Sequence, residues 1–340
     1  MPSARSSPSL MTDASTRLSE VPVSVSEVTA TFGGPRVLDG VTFDVTRGEM
    51  FGLIGPDGAG KTTLLRLICG LLRPASGRIR VFGADPHRDR RVATHQMGYL
   101  SQRFSLYGDL TIDENVEFFA RLHGVSDFGP KRTRLLALTG LEKFRHRLAD
   151  RLSGGMKQKL ALACTLIHEP PLIVLDEPTT GVDPVSRREF WKLLGEFLAG
   201  GLTIIVATPY LDEAERCGRV ALMSSGQILA LDAPSRLRAS LSGVLFEVVP
   251  TSTRLTRDAL AAAWGEARVE SFGDRLHVRA DSIDDEARLV AILVGAGEGS
   301  ASIRPVVPGL EDVFISLLGH DGAGPAPGHT ASATFEGTGL

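Results

Sequence analysis

The stretch FGLIGPDGAGKTT, residues 51–63, constrains this chain more than any other. An apolar run ends at Ile54, Gly55 opens a glycine-rich loop, and Gly60-Lys61-Thr62 leads into an apolar-periodic segment over 62–69. The pattern is G-x-x-x-x-G-K-T between a predicted strand and a predicted helix, the context in which such a loop holds phosphate. The candidate cradle is therefore Gly55, Pro56, Asp57, Gly58, Ala59, Gly60, Lys61, Thr62 and Thr63. Glycines let backbone N–H groups close around phosphate oxygens where a side chain would collide. The helix N-terminus adds unpaired donors and a favourable dipole. Lys61 supplies a point charge to the β- and γ-phosphates, and the Thr62 hydroxyl is a Mg²⁺ ligand. A nucleoside triphosphate is expected, and the rest of the chain must say what its energy is used for.

The length of 340 residues suggests about two domains with ample material for a core. A net charge of only −3 argues against a general nucleic-acid binder. Cys69, Cys164 and Cys217 are scattered with no C-x-x-C pair, which reads as reduced core thiols in a cytosolic protein. No apolar stretch approaches the roughly 18 residues that a membrane helix requires. Residues 1–20 are Ser-rich and lack the apolar core of a signal peptide, and Met11 is an alternative start. If the protein serves a membrane process, another chain must provide the span.

Residues 1–22 have the composition of a disordered extension. Strand signals follow at 23–32 and 41–45, with Gly33-Gly34-Pro35 as the turn between them. On pattern alone Phe32, just before that turn, reads as a hairpin core residue. After the loop helix, 77–83 and 97–102 read as strands, the second ending in Gln102. An amphipathic helix is predicted over 111–122, with Thr111 as N-cap and Glu114 completing a capping box. A second, Arg- and Leu-rich helix spans 131–141. LSGGM at 152–156 opens a helix to about 167, with Ser153 as N-cap. Gly154 and Gly155 again expose N–H donors, a second anion site; the alternative is an ordinary Ser-Gly-Gly turn.

LIVLDE at 172–177 is four apolar residues followed by two carboxylates. Such a run suggests a strand buried on both faces, as in a parallel sheet. Its C-terminal end, where open α/β sheets bind ligands, carries Asp176 and Glu177. Asp176 can hold Mg²⁺ directly or through water, and Glu177 is placed to orient or activate an attacking water. A loop carrying Asp183, a helix over 185–198, a buried strand over 203–207, a helix over 211–217 and strands over 220–223 and 227–231 complete the region. This alternation implies βαβ units and a mainly parallel sheet. From 244 onward the order changes to βαββαβ with a closing helix, which fits a small ferredoxin-like α+β domain. Residues 320–340 are Gly-, Ala- and Pro-rich and read as a flexible tail.

The P-loop, LSGGM and LIVLDEPTTGVDP, in that order, resemble the ATP-binding subunits of ABC transporters over residues 23–236. The resemblance implies a RecA-like parallel-sheet core, an antiparallel β subdomain and a helical subdomain. It implies ATP and Mg²⁺ as cofactors. Gly55 to Thr63 is similar to the family's Walker A loop, Asp176 to its Walker B metal carboxylate and Glu177 to its catalytic glutamate. Gln102 resembles the Q-loop residue that touches Mg²⁺ and senses the membrane subunit, across a region reaching Asn115. Ser153, Gly154 and Gly155 resemble the signature that closes over the γ-phosphate of the opposite protomer, and Asp183 resembles the D-loop aspartate. Phe32 falls where the family places an adenine-stacking aromatic, usually tyrosine, which replaces the core reading. Asp57 stands where asparagine is more familiar; both tolerate left-handed backbone geometry.

The domain at 243–319, with PGLEDVFISLLG near its end, resembles the appendage of drug-exporter and ABC-2-type ATPases, as does YLDEAERC around Tyr210. The resemblance implies an ATPase subunit, cytoplasmic and peripheral on the inner face of the cell membrane. Its partners would be a separate integral-membrane permease and a second ATP-binding subunit, as homodimer or heterodimer, with no nucleic acid. One departure is Pro209, which stands where the family places a histidine contacting the γ-phosphate. Proline has no side-chain donor and no N–H. Either the chain is an active homodimer without that histidine, or it is the hydrolysis-poor half of a heterodimer. A soluble ABC ATPase acting on ribosomes or DNA is disfavoured by the single nucleotide-binding unit, the balanced charge and the lack of cysteine clusters.

Overall fold

The computed structural model describes residues 21–89, 95–102 and 106–320; the expected N-terminal extension and C-terminal tail lie almost wholly outside them. The chain divides between Leu237 and Arg238 into two compact units. Among the described residues no helix is long and apolar enough to cross a membrane.

The first unit holds two sheets. Strands β1 (Val23–Thr31), β2 (Arg36–Val45), β3 (Met50–Ile54), β4 (Ser76–Val81), β5 (Met97–Leu100), β6 (Leu172–Asp176), β7 (Thr203–Thr208), β8 (Arg219–Ser224) and β9 (Gln227–Asp232) supply them. One sheet is antiparallel in the order β2-β1-β4; the other has six strands in the order β5-β6-β7-β3-β8-β9. Every pair from β5 to β8 is parallel, and β9 closes the edge antiparallel to β8. All five residues of β3 and all five of β6 are buried, as strands sandwiched between helices require. The expected strand at 41–45 is only the second half of β2, which starts at Arg36.

Helices α1 (Lys61–Ile68), α2 (Ile112–Leu122), α3 (Gly129–Thr139), α4 (Gly154–Leu166), α5 (Pro184–Ala199), α6 (Leu211–Ala214) and α7 (Pro234–Ala239) complete the order to residue 239. The capping box of α2 forms: the Thr111 hydroxyl accepts from the Glu114 N–H, and the Glu114 carboxylate accepts from the Thr111 N–H. Ser153 caps α4 by accepting from the Met156 N–H. Helices α2 and α3 both pack on α4, which in turn packs against β5. The helix expected over 211–217 ends at Ala214.

Asn115 is buried and stitches the turn ahead of α2. Its amide donates to the carbonyls of Tyr107, Leu110 and Thr111, and its Oδ1 accepts from the Tyr107 N–H. Residues 103–105 of that region lie outside the described ones. The three cysteines are buried free thiols. Burial pushes Cys217 up to about 12, so it carries no thiolate at neutral pH.

The second unit is built on β10 (Val244–Val249), β11 (Val269–Phe272), β12 (Arg275–Ala280) and β13 (Ser302–Val306). These lie in the order β11-β12-β10-β13, every neighbour antiparallel. Helices α8 (Thr253–Trp264), α9 (Glu286–Gly295) and α10 (Leu310–His320) follow. Its own core contains Phe246, Val248, Leu260, Leu276, Val278, Leu289 and Leu293.

Candidate functional site

Parallel pairing brings the C-terminal ends of β6, β7 and β3 side by side, with Asp176 opposite Ala207 and Ile54 opposite Thr208. The glycine-rich loop leaves β3 at this edge. A Cβ on Gly55 would overlap the Met223 carbonyl, so no larger residue fits there. Gly58 and Gly60 take left-handed φ values of 80° and 98°. A Cβ on Gly60 would lie 2.7 Å from Leu38 Cδ2 and 2.9 Å from the Val37 carbonyl oxygen, so β2 runs against the loop. Asp57 is not among the left-handed residues; the glycines on either side of Ala59 supply that geometry instead.

Lys61 is only 4% exposed. Its Nζ donates to the carbonyls of Gly55 at 2.8 Å and Pro56 at 2.9 Å, and lies 3.9 Å from Glu177 Oε1. Burial draws its pKa below the ordinary lysine value, opposed by the charges of Glu177, Asp57 and Asp176. The Thr62 hydroxyl donates to Asp176 Oδ1 at 2.8 Å. The Tyr99 hydroxyl donates to Asp176 Oδ2 at 3.2 Å. Glu177 is reached by Gln102, whose Nε2 donates to its Oε2 at 2.8 Å, and by Thr180 at 3.3 Å. Lys61, Thr62, Asp176, Glu177 and Gln102 therefore form one contiguous cluster beside the loop. A hydroxyl paired with a carboxylate at a phosphate cradle is the hard-oxygen donor set that suits Mg²⁺.

Among the described residues the other candidates make no hydrogen bond to that cluster. Ser153 and Gly154 are exposed, and Gly155 is buried, its Cα against Ser186 so closely that a Cβ would overlap the Ser186 side chain. Asp183 caps α5, accepting from the N–H groups of Val185 at 3.1 Å and Ser186 at 3.0 Å. These backbone donors hold its carboxyl below the usual carboxylate range. The start of α4 and the 181–186 loop thus form a second patch. Phe32 is 57% exposed, which overturns its reading as a hairpin core residue.

One buried carboxylate escaped the sequence reading. Glu213 is 1% exposed and collects four side-chain donors. Its Oε1 accepts from the Thr179 hydroxyl, from Arg187 Nε at 2.7 Å and from Trp191 Nε1 at 3.0 Å; its Oε2 accepts from the Thr208 hydroxyl at 2.5 Å. Glu213 therefore ties the turn after Glu177 to α5 and to the residue before Pro209. In LDEAER it looks like one of three solvated helix acids, and no local pattern sets it apart. Arg187 also clamps Asp212 with Nη2 and lies over the Tyr210 ring at 4.5 Å. The turn at Pro209 is held without a histidine, with the Tyr210 N–H bonded to the Thr208 hydroxyl at 3.1 Å.

A glycine cradle, a buried lysine and a Thr–Asp–Glu–Gln cluster on a parallel sheet define a P-loop nucleotide-binding cassette. Comparison with known proteins narrows the class. The family model "ABC transporter" matches residues 38–180. The "Nod factor export ATP-binding protein I" of Paraburkholderia xenovorans is 37% identical over 306 residues, 89% of this chain and 98% of that protein. The "Daunorubicin resistance ATP-binding protein DrrA3" of Streptomyces coeruleorubidus is 34% identical, covering 89% of this chain and 98% of that protein. The "Probable multidrug ABC transporter ATP-binding protein YbhF" of Escherichia coli is 41% identical over 86% of this chain. The chain spans about half the length of that relative, 50%. Among solved structures, cbiO1 from Clostridium perfringens, part of the ABC transporter complex cbiONQ, matches with a TM-score of 0.61 at 29% identity, over 65% of this chain and 92% of that one. A dimeric, post-hydrolysis ATP-binding cassette bound to ADP and Pi matches with a TM-score of 0.56 at 26% identity, over 62% of this chain and 98% of that one. The chain belongs to the ATP-binding proteins of the ABC transporter family.

Proposed function

We propose that this chain is the ATP-hydrolysing subunit of an ABC exporter of the drug-export or ABC-2 type. It acts from the cytoplasmic face with a separate integral-membrane permease and a second ATP-binding subunit. The observation that carries the proposal is the convergence of Lys61, Thr62, Asp176, Glu177 and Gln102 at the mouth of the glycine loop. Relatives named for multidrug transport, Nod factor export and daunorubicin resistance support the exporter reading.

The chemistry follows from the positions. The loop N–H groups and the α1 N-terminus bind the β- and γ-phosphates. The Lys61 ammonium, now satisfied by two neutral carbonyls, gains stronger charge-assisted bonds when phosphate oxygens replace them. Thr62 and Asp176 are the residues that would hold Mg²⁺, with Gln102 at its edge; bound there, the ion would neutralise charge on the phosphates. Glu177 sits beside Lys61 with one carboxylate oxygen oriented by Gln102 and Thr180, in place to align a water and accept its proton. Most of the rate comes from positioning and charge stabilisation. Ser153, Gly154, Gly155 and Asp183 lie beside the start of α5, and they serve the loop of the second subunit. Phe32, exposed in the turn before β2, is a platform for the adenine ring.

Pro209 favours a second reading, in which the chain is the hydrolysis-poor member of an unequal pair. Mg²⁺-dependent phosphate release by the purified chain, with Lys61→Ala as control and Pro209→His alongside, separates the two. Turnover abolished by Lys61→Ala establishes an active homodimer. ATP binding without turnover, with hydrolysis gained in Pro209→His, establishes the unequal pair.

A further inference from the structure

The second unit contains a cavity that ATP hydrolysis does not use. Its volume is about 300 Å³, and its lining includes Ser240, Ser242, Arg268, Arg279, Asp281 and Ser316. The strand pattern explains why arginine is there. In β12 the buried residues Leu276, Val278 and Ala280 point into the unit's core, so His277 and Arg279 fall on the opposite face. Helix α10 lies on that face and meets both: His277 Nδ1 bonds Asp312 Oδ1 at 2.6 Å, and Arg279 Nη1 donates to the Ser316 hydroxyl. Asp312 and Ser316 are four apart on a helix, and His277 and Arg279 are two apart on a strand, so one helix turn matches one strand repeat. The turn at Gly243 has φ 88°, and a Cβ there would overlap the Ala280 carbonyl. That close approach brings residues 240–242 over the end of β12.

The charges in this cavity do not cancel. Arg268 is paired with Asp281 at 2.9 Å, and that carboxylate is 81% exposed at the rim. Arg279 has no carboxylate within 4.0 Å among the described residues. A guanidinium offers five N–H donors, and among the described residues the one hydrogen bond of Arg279 is to Ser316. Two guanidinium groups thus face one cavity that a single carboxylate lines. Burial first, and then the neighbouring Arg268 charge, press the Arg279 pKa below its ordinary value, with the Asp281 charge opposing them. A fold that desolvates a cation beside a like charge and leaves most of its fork without an acceptor is arranged for an anionic partner.

We propose that this cavity binds a small oxyanion, the phosphate or carboxylate group of a soluble compound, held by the Arg279 fork with Arg268 and the serine hydroxyls around it. Planar two-point recognition of such groups is what arginine does better than lysine. The site lies wholly in the C-terminal unit, so it does not depend on the ATPase reading.

The test is calorimetric titration of the full-length Lys61→Ala chain, in which the phosphate-binding loop is disabled. The probes are inorganic phosphate and succinate, with potassium chloride at matched ionic strength as the blank. The expected result is saturable one-site binding of phosphate, succinate or both, with the preferred probe assigning the group as phosphoryl or carboxylate. Adding Arg279→Gln should weaken it at least tenfold, and Arg279→Lys, which keeps the charge and loses the fork, should weaken it by a smaller factor. If Arg279→Gln does not fold, Arg268→Gln at the rim carries the same comparison, with a loss of several-fold expected. Heats no larger than the blank, or an affinity unchanged in the arginine variants, would overturn the proposal.

Discussion

Glu177 holds a backbone conformation that residues with a Cβ seldom adopt, with φ at 48°. Holding a non-glycine residue there costs roughly 1–3 kcal/mol, which persists only where the surroundings fix it. Here the Glu177 N–H is bonded to the Ala207 carbonyl at 2.9 Å, and the side chain is held by Gln102 and Thr180. The constraint aims the carboxylate back at the loop lysine. Glu177→Gln keeps the shape and the Gln102 contact while losing the basic oxygen. It is expected to lower ATP turnover by about 10²–10⁴-fold and leave ATP affinity within a few-fold. Phosphate release and nucleotide titration check this, and undiminished turnover would remove Glu177 from the chemistry. Glu213 has a different residue-level role. It is a buried anion balanced by Arg187 and three neutral donors. Removing one partner of a buried charge pair costs about 3–5 kcal/mol, so Glu213→Ala should lower urea stability of the first unit by that order. A loss under 1 kcal/mol would mean that the site relaxes or admits water.

Between elements, two histidines form a joint whose protonation matters. His123 ends α2 and His168 follows α4, and their rings stack at 3.9 Å with 4° between planes. His168 Nε2 bonds the Met97 carbonyl, and its Nδ1 is buried without a partner. Burial above all, then the His123 charge, and more weakly His95 and Lys131, lower its pKa to about 4 from 6.5, while the Met97 carbonyl opposes the shift. The unfolded chain takes this proton near 6.5 and the folded one only near 4, so between those values the unfolded state binds more protons. The stabilisation is full above pH 6.5 and is lost as pH falls toward 4. His168→Gln can still reach Met97 but cannot titrate there. From pH 7 to pH 5 wild type should lose more stability than this variant in matched urea titrations; equal losses would show that the joint does not sense protons. Elements of this kind mark where the sequence stopped being legible. The loop, the α2 capping box, the Ser153 cap and the apolar run of β6 up to Asp176 were readable because each is written in consecutive residues. Glu213 was not, because its burial depends on Thr179, Arg187, Trp191 and Thr208 arriving from three other segments. The first half of β2 was missed because Arg36 and Asp39 break the apolar alternation, and α7 because Pro234 reads as a boundary although proline suits a first helical turn.

At the scale of the whole molecule, the two units have separate cores. One gathers Val23, Phe51, Leu64, Ile68, Val174 and Ile205. The other gathers Phe246, Leu260, Val278 and Leu289, and the two share no residue. A ligand stabilises the unit that folds around its site, by RT ln(1 + [L]/Kd), about 2.7 kcal/mol at a hundredfold excess over Kd. The loop, Asp176 and Glu177 all belong to the first unit. ATP with Mg²⁺ is therefore expected to raise the midpoint of the first unit's transition by roughly 5–10 °C for a domain of that size. The second unit's transition should stay where it is. Scanning calorimetry of the Glu177→Gln chain, which avoids turnover during heating, reads both at once. In the Lys61→Ala background the ATP shift should vanish. Phosphate or succinate, acting through Arg279, should then move only the transition that ATP leaves alone. That crossed pattern would show two ligand sites in two separately cored units. A single transition moved equally by all ligands would show instead that the units unfold as one cooperative body.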